Sequence, residues 1–250
     1  MTGVKEPELT TAAERDEDSS ASKASKSEQT RTLIVETALR LFRENGYDRT
    51  TMRSIAKEAG VSVGNAYYYY GSKEHLIQGF YERIQQLHLA ASRDVLAAER
   101  DFGARLTGVL LAWLDIAEPY HDFAAQFFRN AADPASPLSP FSAESQPSRD
   151  AVVALHREVL LGSTVKVDAE LRAQLPELLW LYHMAIVLYW VHDRSEHAAK
   201  TRLLVSRTAS MAHQLVRMSR FRVVRSFVLD GVSLLRDIGW HSTSDSHSKE

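Results

Sequence analysis

No cysteine occurs among the 250 residues. Disulfides, thiolate metal sites, iron–sulfur clusters and a cysteine nucleophile are therefore excluded. No apolar run is long enough to cross a bilayer. The nearest, Leu175 to Val191, is broken by Pro176, Glu177 and His183, where about 18 uncharged apolar residues would be needed. The N-terminus carries acids and serines in place of the basic-then-apolar pattern of a secretory signal. A cytoplasmic protein without a membrane partner is expected. Strand-like alternation is missing as well. So are a Gly-rich phosphate loop, an HExxH motif, a nucleophile elbow and a readable pair of carboxylates, and neither an enzyme nor a cofactor is expected. Net charge is also scarce: 30 Lys and Arg stand against 32 Asp and Glu, leaving −2. Spread evenly, that balance would argue against a nucleic-acid partner.

The charge is not spread evenly. Residues 1–28 hold four basic and seven acidic residues among Ser, Thr and Ala, with few large apolar side chains. Such a stretch buries too little to offset its ordering entropy, so a disordered tail is expected over 1–28, and likewise over 241–250. Residues 31–73 are basic, with seven positive and four negative side chains; 74–193 are acidic, with nine against sixteen; 194–237 are basic again, with nine against three.

Helical periodicity fills the space between the tails. Ile34, Ala38, Leu41 and Phe42 recur at i, i+4, i+7 and i+8, and Gly46 supplies a stop. Thr51 can cap a second helix with Met52, Ile55, Ala56 and Ala59 inward, ended by Gly60. Ser62 can cap a short third helix through Tyr69. Gly71 breaks it, and Ser72 caps a long fourth helix carrying Leu76, Phe80, Ile84 and Leu87. Further helices are predicted near 104–117, 119–132, 149–162, 169–193, 196–217 and 220–238. The segment 133–148 holds four of the seven prolines and reads as a long functional or mobile loop.

Two short helices joined by a Gly-containing turn fit a helix-turn-helix, whose second helix enters the major groove by its N-terminal half. Here that half is Ser62, Val63, Gly64 and Asn65. Four consecutive tyrosines, Tyr67 to Tyr70, follow and cannot all face a core. Their hydroxyls suit phosphate oxygens and their rings suit thymine methyls. Ser72 and Lys73 place helix N–H groups and an ammonium together as an anion site.

Residues 31–83 resemble the DNA-binding domain of the TetR (tetracycline repressor) family of bacterial regulators. Ile34, Ala38, Leu41-Phe42, Gly46-Tyr47, Thr51, Ile55-Ala56, Ala59-Gly60-Val61-Ser62, Tyr67-Tyr68, Ser72-Lys73 and Leu76 carry the likeness. The resemblance implies an all-α chain: an N-terminal three-helix helix-turn-helix DNA-binding domain (29–74), then a larger helical ligand-binding and dimerisation domain (75–240). It implies a homodimer on a pseudo-palindromic operator of double-stranded DNA. By position, Thr51 caps the second helix and touches phosphate, and Arg53 contacts base or phosphate. Val63 and Asn65 face bases, Tyr67 contacts phosphate and Lys73 clamps the backbone. Ser62, Gly64, Tyr68 and Tyr69 complete the DNA-binding set. Tyr68 stays open between base contact and packing, and Arg53 between DNA contact and a solvated surface charge. The sequence departs from the family where Tyr69 replaces a common His and Tyr70 a common Phe. Tyr70 must therefore find its hydroxyl a partner. His75 stands where a capping-box Glu would answer Ser72.

The acidic middle is rich in aromatics. Trp113, Tyr120, Phe123, Phe127, Trp180, His183 and Tyr189 are the candidate lining of a pocket for a small, mostly apolar effector. Aromatics at helical spacing serve a core equally well. The rear carries Arg202, Arg207, Arg217, Arg220, Arg222, Arg225 and Arg236 around an apolar stripe. These arginines balance the acidic middle or bind an anion, and both readings stand at this point. His192, Asp193, Glu196 and His197 are better explained by a helix boundary than by a metal. The expected function is a ligand-responsive repressor released from DNA by its effector. The alternative is a helical protein-interaction adaptor without specific DNA binding.

Overall fold

The computed structural model describes residues 12–133 and 135–219, with side chains from Ser25 onward except those of Phe123 and Gln126. All regular elements among the described residues are helices, in agreement with the expected all-α class. The chain divides into two compact units, residues 1–77 and 78–250.

In the first unit, α1 (Ala12–Asn45) buries Ile34, Val35, Ala38, Leu39, Leu41 and Phe42 on the face that the periodicity marks. The helix starts well inside the stretch expected to be disordered. Neither Gly nor Pro occurs between Ala12 and Asn45, so nothing interrupts a helix whose second half is anchored by burial. Residues 1–11 and 241–250 lie outside the described residues. Gly46, at φ 85°, ends α1, and its N–H donates to the Phe42 carbonyl at 2.9 Å. α2 (Met52–Glu58) opens on a complete capping box. Thr51 Oγ1 accepts from the Ser54 N–H at 3.1 Å, and Ser54 Oγ accepts from the Thr51 N–H at 3.0 Å. Gly60 at φ 69° turns the chain. Ser62 Oγ then caps α3 (Val63–Tyr69) by accepting from the Asn65 N–H at 3.0 Å. Ser72 Oγ accepts from the His75 N–H at 3.3 Å as α4 (Lys73–Ala98) begins, and it lies 2.9 Å from His75 Nδ1. The imidazole occupies the place of the missing glutamate. Met52, Ile55, Ala56, Ala66, Tyr70, Leu76 and Ile77 bury against the α1 residues and close this small core.

The second unit is built from the remainder of α4, α5 (Phe102–Ala117), α6 (His121–Ala131), α7 (Gln146–Leu161), α8 (Ala169–His192) and α9 (Ala199–Met218). These correspond to the expected helices; the one near 220–238 lies outside the described residues. Asp101 caps α5 and Asp168 caps α8 through their carboxylates. α5 is the axis of the unit, with Phe102, Leu106, Val109, Leu110 and Leu114 sealed from solvent. It packs against α7 and α9, while α8 packs against α6, α7 and α9. Close approach has a cost in side-chain size: a Cβ on Gly108 of α5 would lie 2.5 Å from Val95 Cγ1 of α4.

One buried cation ties three of these helices. Arg105 of α5 donates from NH1 to the carbonyls of Leu96 (2.6 Å) and Glu99 (2.7 Å). From Nε it reaches Val159 O (3.0 Å), and from NH2 Glu158 O (2.8 Å). Leu96 lies in the last turn of α4, Glu99 just beyond it, and Glu158 and Val159 near the end of α7. All four carbonyls belong to helix C-termini, where orphan acceptors and the negative dipole end favour a positive group. Burial draws the guanidinium down from its ordinary range, the nearby Arg100 adds to this, and Glu158 opposes it. A Cβ on Gly162 would lie 2.2 Å from Arg105 NH2.

The α8–α9 join is a second polar knot. Asp193 Oδ1 accepts from the Ser195 N–H and hydroxyl, and Oδ2 from the Thr201 N–H and hydroxyl, at 2.6–2.9 Å. Burial pushes the carboxyl up, but these donors outweigh it and hold it well below the usual carboxylate range. His197 (φ 51°) and Ala198 (φ 52°) are the non-glycine residues of positive φ among those described.

Replacing Arg105 by Met should lower the unfolding free energy of the full chain by about 3 kcal/mol, since four helix-end carbonyls lose a charged donor. Gly108→Ala should cost about 1–3 kcal/mol through overpacking. Urea denaturation followed by circular dichroism measures both, and an Arg105→Met midpoint equal to wild type would contradict the clamp.

Candidate functional site

In the first unit α3 offers one exposed surface. Val63, Gly64, Asn65, Tyr67 and Tyr68 are all exposed, with Tyr67 at 51% and Tyr68 at 81%. The four consecutive tyrosines separate as helix geometry requires. Tyr69 is half-buried and edge-on to Tyr68 at 5.3 Å. Tyr70 is buried, its hydroxyl donating to the Arg31 carbonyl at 3.5 Å with the Arg31 guanidinium over its ring. That is the partner its hydroxyl needs. An 81% exposed Tyr68 is not a packing residue in this chain. Thr51 and Ser62 are exposed, with hydroxyls engaged as caps, and Arg53 is exposed in the first turn of α2.

Lys73 is placed differently from a loose phosphate clamp. Its Nζ donates to the Tyr47 carbonyl at 2.8 Å and lies 4.1 Å above the Tyr47 ring. The Tyr47 hydroxyl in turn donates to Glu74 at 2.7 Å. Burial and this carboxylate push the Tyr47 phenol well up. An ammonium has three donors, so Lys73 is pre-positioned, with part of its capacity already used.

The second unit contains a cavity of about 700 Å³. Five of the seven sequence candidates line it: Trp113 of α5, Tyr120, Phe127 of α6, and Trp180 and His183 of α8. Tyr189 does not. It is 43% exposed and lies outside the wall. The Phe123 side chain lies outside the described residues. Sequence reasoning passed over Phe80, Tyr81 and His88 of α4; Phe80 was legible only as part of a helical stripe, and Tyr81 and His88 lay outside that stripe. It also passed over Leu138 and Phe141 of the Pro-rich loop. That loop is anchored, because the Pro137 carbonyl accepts from Gln78 Nε2 at 3.0 Å and from Ser142 Oγ at 2.9 Å. Leu138 is buried, and Phe141 meets Trp180 edge-on at 5.5 Å. Phe80 lies edge-on to Tyr120 at 4.7 Å, and Trp113 to Trp190 at 5.1 Å.

Three imidazoles meet beside this wall. The His183 ring lies 5.7 Å from His88 and 5.6 Å from His156, edge-on to each. His88 Nε2 donates to the Val109 carbonyl at 2.9 Å. Neither nitrogen of His156 or His183 has a hydrogen-bond partner. Burial, and then the neighbouring imidazoles, hold His156 down at about 3 and His183 well below its ordinary range; burial also lowers His88. All three are neutral near pH 7.

The remaining polar candidates resolve locally. Arg202 bridges Asp115 at 2.6 Å and Glu118 at 2.9 Å, which supports charge balance at that arginine. Arg220, Arg222, Arg225 and Arg236 lie outside the described residues. His192 contacts the Leu188 carbonyl, Asp193 is spent on its turn, and His197 pairs with Glu118 at 2.6 Å. Among the described residues no three His, Asp or Glu side chains are grouped to hold a metal. No helix there is long and apolar enough to cross a membrane.

A helix-turn-helix unit followed by a helical unit around an apolar cavity defines a class of regulatory protein. The pattern described as "Bacterial regulatory proteins, tetR family" matches residues 34–79, and "Tetracyclin repressor-like, C-terminal domain" matches 105–234, more than half the chain. The chain belongs to the TetR family. It is similar to the HTH-type transcriptional repressor KstR2 of Mycobacterium tuberculosis, 30% identical over 88 residues, which are 35% of this chain and 44% of that one. The chain spans 16% to 44% of the length of the first curated relatives it matches. Its fold is similar to a TetR transcriptional regulator from Nitrosomonas europaea (TM-score 0.57, 19% identity, 73% of this chain and 97% of that one). It is also similar to Thermus thermophilus FadR, solved with lauroyl-CoA (TM-score 0.52, 23% identity, 72% and 92%).

The depressed histidines fix the sign of a pH effect. The folded chain binds fewer protons than the unfolded one between about 3 and about 6.5. Their contribution to stability is thus complete above roughly pH 6.5 and is lost as pH falls through that window. Each fully buried histidine contributes a slope of up to about 1.4 kcal/mol per pH unit. Urea midpoints should drop between about pH 7 and about pH 5, and a His156→Phe variant should show a shallower drop.

Proposed function

We propose that this protein is a ligand-responsive DNA-binding transcriptional regulator acting as a repressor. Two copies bind a pseudo-palindromic operator, and a small, mostly apolar effector releases them. The exposed face of α3 carries the reading. Val63 and Asn65 sit in the half of the helix that reaches base edges in a helix-turn-helix. Tyr67, Tyr68 and Tyr69 follow with hydroxyls for phosphate and rings for thymine methyls. Arg53 supplies a phosphate or base contact, and the caps at Thr51 and Ser62 present backbone N–H groups at two helix starts. Lys73, already held on Tyr47, adds fixed positive charge to the same unit.

The cavity supports the effector half of the proposal. Its wall is mainly aromatic, and its size is that of a small-molecule site. α4 is covalently continuous from Lys73, beside the reading helices, to His88 in the cavity wall. It is the element through which an effector biases the two half-sites. Release requires that the effector bind the DNA-incompetent state more tightly, and operator affinity falls by that differential.

The test is selection of bound duplexes from a random pool, then fluorescence anisotropy on the selected duplex at two salt concentrations. Log affinity should fall linearly with log salt, and a flat plot would overturn the regulator reading in favour of an adaptor. Asn65→Ala should alter sequence preference at one position per half-site, worth about 1–3 kcal/mol. Arg53→Ala with Tyr67→Phe should weaken all duplexes alike and reduce the salt slope by about 1 for each phosphate no longer neutralised. Unchanged preference in Asn65→Ala removes that residue from the readout.

A further inference from the structure

We propose that Tyr81 and Gln85 of α4 form the polar subsite of the cavity and hold an acceptor oxygen, of a carbonyl or a carboxylate, on an otherwise apolar effector. The proposal rests on the cavity being the effector site and specifies what that site recognises. Gln78, Tyr81, Gln85 and His88 recur at i, i+3, i+7 and i+10 along α4, and all four line the cavity. That spacing puts them on one face of the helix. The outer two are spent on the protein itself. Gln78 Nε2 donates to the Pro137 carbonyl at 3.0 Å, and His88 Nε2 to the Val109 carbonyl at 2.9 Å. The inner two are not. Among the described residues, neither the Tyr81 hydroxyl nor the Gln85 amide has a hydrogen-bond partner.

Both side chains have the accessibility that a ligand contact requires. Tyr81 is half-buried, so it keeps accessible surface, yet burial alone pushes its phenol up to about 12. Surface open to bulk water would leave the phenol near its usual value of about 10. The accessible part of Tyr81 therefore faces the internal cavity that it lines. Gln85, one helical turn further on, is half-buried as well. A phenol donates one hydrogen bond and an amide NH2 donates two. An acceptor oxygen is the ligand group that both can serve at once. Their surroundings are apolar, with the Phe80 ring 6.0 Å from that of Tyr81, and a donor so placed gains more from an acceptor than a donor in water. A ligand without oxygen displaces water from both donors and gives nothing in return. Both residues belong to α4, so the bond is made on the helix that continues back to Lys73.

The experiment uses the full chain with the neutral dye N-phenyl-1-naphthylamine as cavity reporter, displaced by naphthalene, 2-acetylnaphthalene or 2-naphthoate. All share a ring system, and only the last two carry an acceptor oxygen. Partitioning from water into oil favours naphthalene. In the wild type the tighter of the two oxygenated ligands should bind about tenfold better than naphthalene. Which of them is tighter assigns the oxygen to a carbonyl or to a carboxylate. Tyr81→Phe keeps the ring and removes only the hydroxyl, and it should cut the advantage to about threefold. Tyr81→Phe combined with Gln85→Leu should abolish it. Naphthalene affinity should be unchanged in both variants, which separates lost hydrogen bonds from a collapsed cavity. Oxygenated ligands no tighter than naphthalene in the wild type, or an advantage undiminished in the double variant, would overturn the subsite while leaving the cavity as a binding site. Naphthalene weakened in step with the oxygenated ligands would overturn it too, by reducing the pair to packing of the wall. No binding of the reporter would instead overturn the cavity as the effector site itself.

Discussion

A helix that ends inside a protein leaves carbonyls that must be satisfied, and the second unit meets this demand at one point. α4 and α7 both finish beside Arg105, whose planar fork serves four carbonyls at once. A lysine could not match this arrangement, because its three donors diverge from a single atom. Gly162 belongs to the same solution, since any side chain there would occupy the space of the guanidinium. With the ends of α4 and α7 fixed to α5, the preceding turns of both helices are aligned along the central hydrophobic column. The cavity walls inherit their positions from that alignment.

The cavity then divides its polar groups into two kinds. Those of the Pro-rich loop are satisfied internally: Pro137 and Pro140 carbonyls accept from Gln78, Ser142 and Arg149. Those of His156 and His183 are not. Where the first kind holds the wall in shape, the second leaves unspent hydrogen-bonding capacity next to an apolar surface.

The first unit was legible because its signals are local. Thr51 and Ser62 cap the helices they precede, and Gly46 and Gly60 turn where stops were expected. Tyr70 had to find a hydroxyl partner and found the Arg31 carbonyl. The second unit was legible only as helices. Arg105 gives no sign in sequence, because its partners lie in backbone from two other helices. The α4 contribution to the cavity was hidden in an ordinary amphipathic stripe, since which side of a stripe meets a void is a tertiary fact. Tyr189 was misplaced for the same reason: aromatic density marks a helix, while wall and surface differ by a single residue step. Lys73 sat at the expected position, but its engagement with Tyr47 depends on how α1 ends.

The join between α8 and α9 shows a choice of stiffness. Two successive residues, His197 and Ala198, hold left-handed backbone that glycine would adopt without strain. Glycine would also lend the elbow the freedom that makes it easy to bend. Side chains here trade a little native-state energy for a joint with few alternative conformations, further limited by the Asp193 turn and the His197–Glu118 pair. α9 thus leaves α8 along a narrowly defined direction. Whatever surface α9 presents is delivered at a fixed angle, with little entropy left to lose when something meets it.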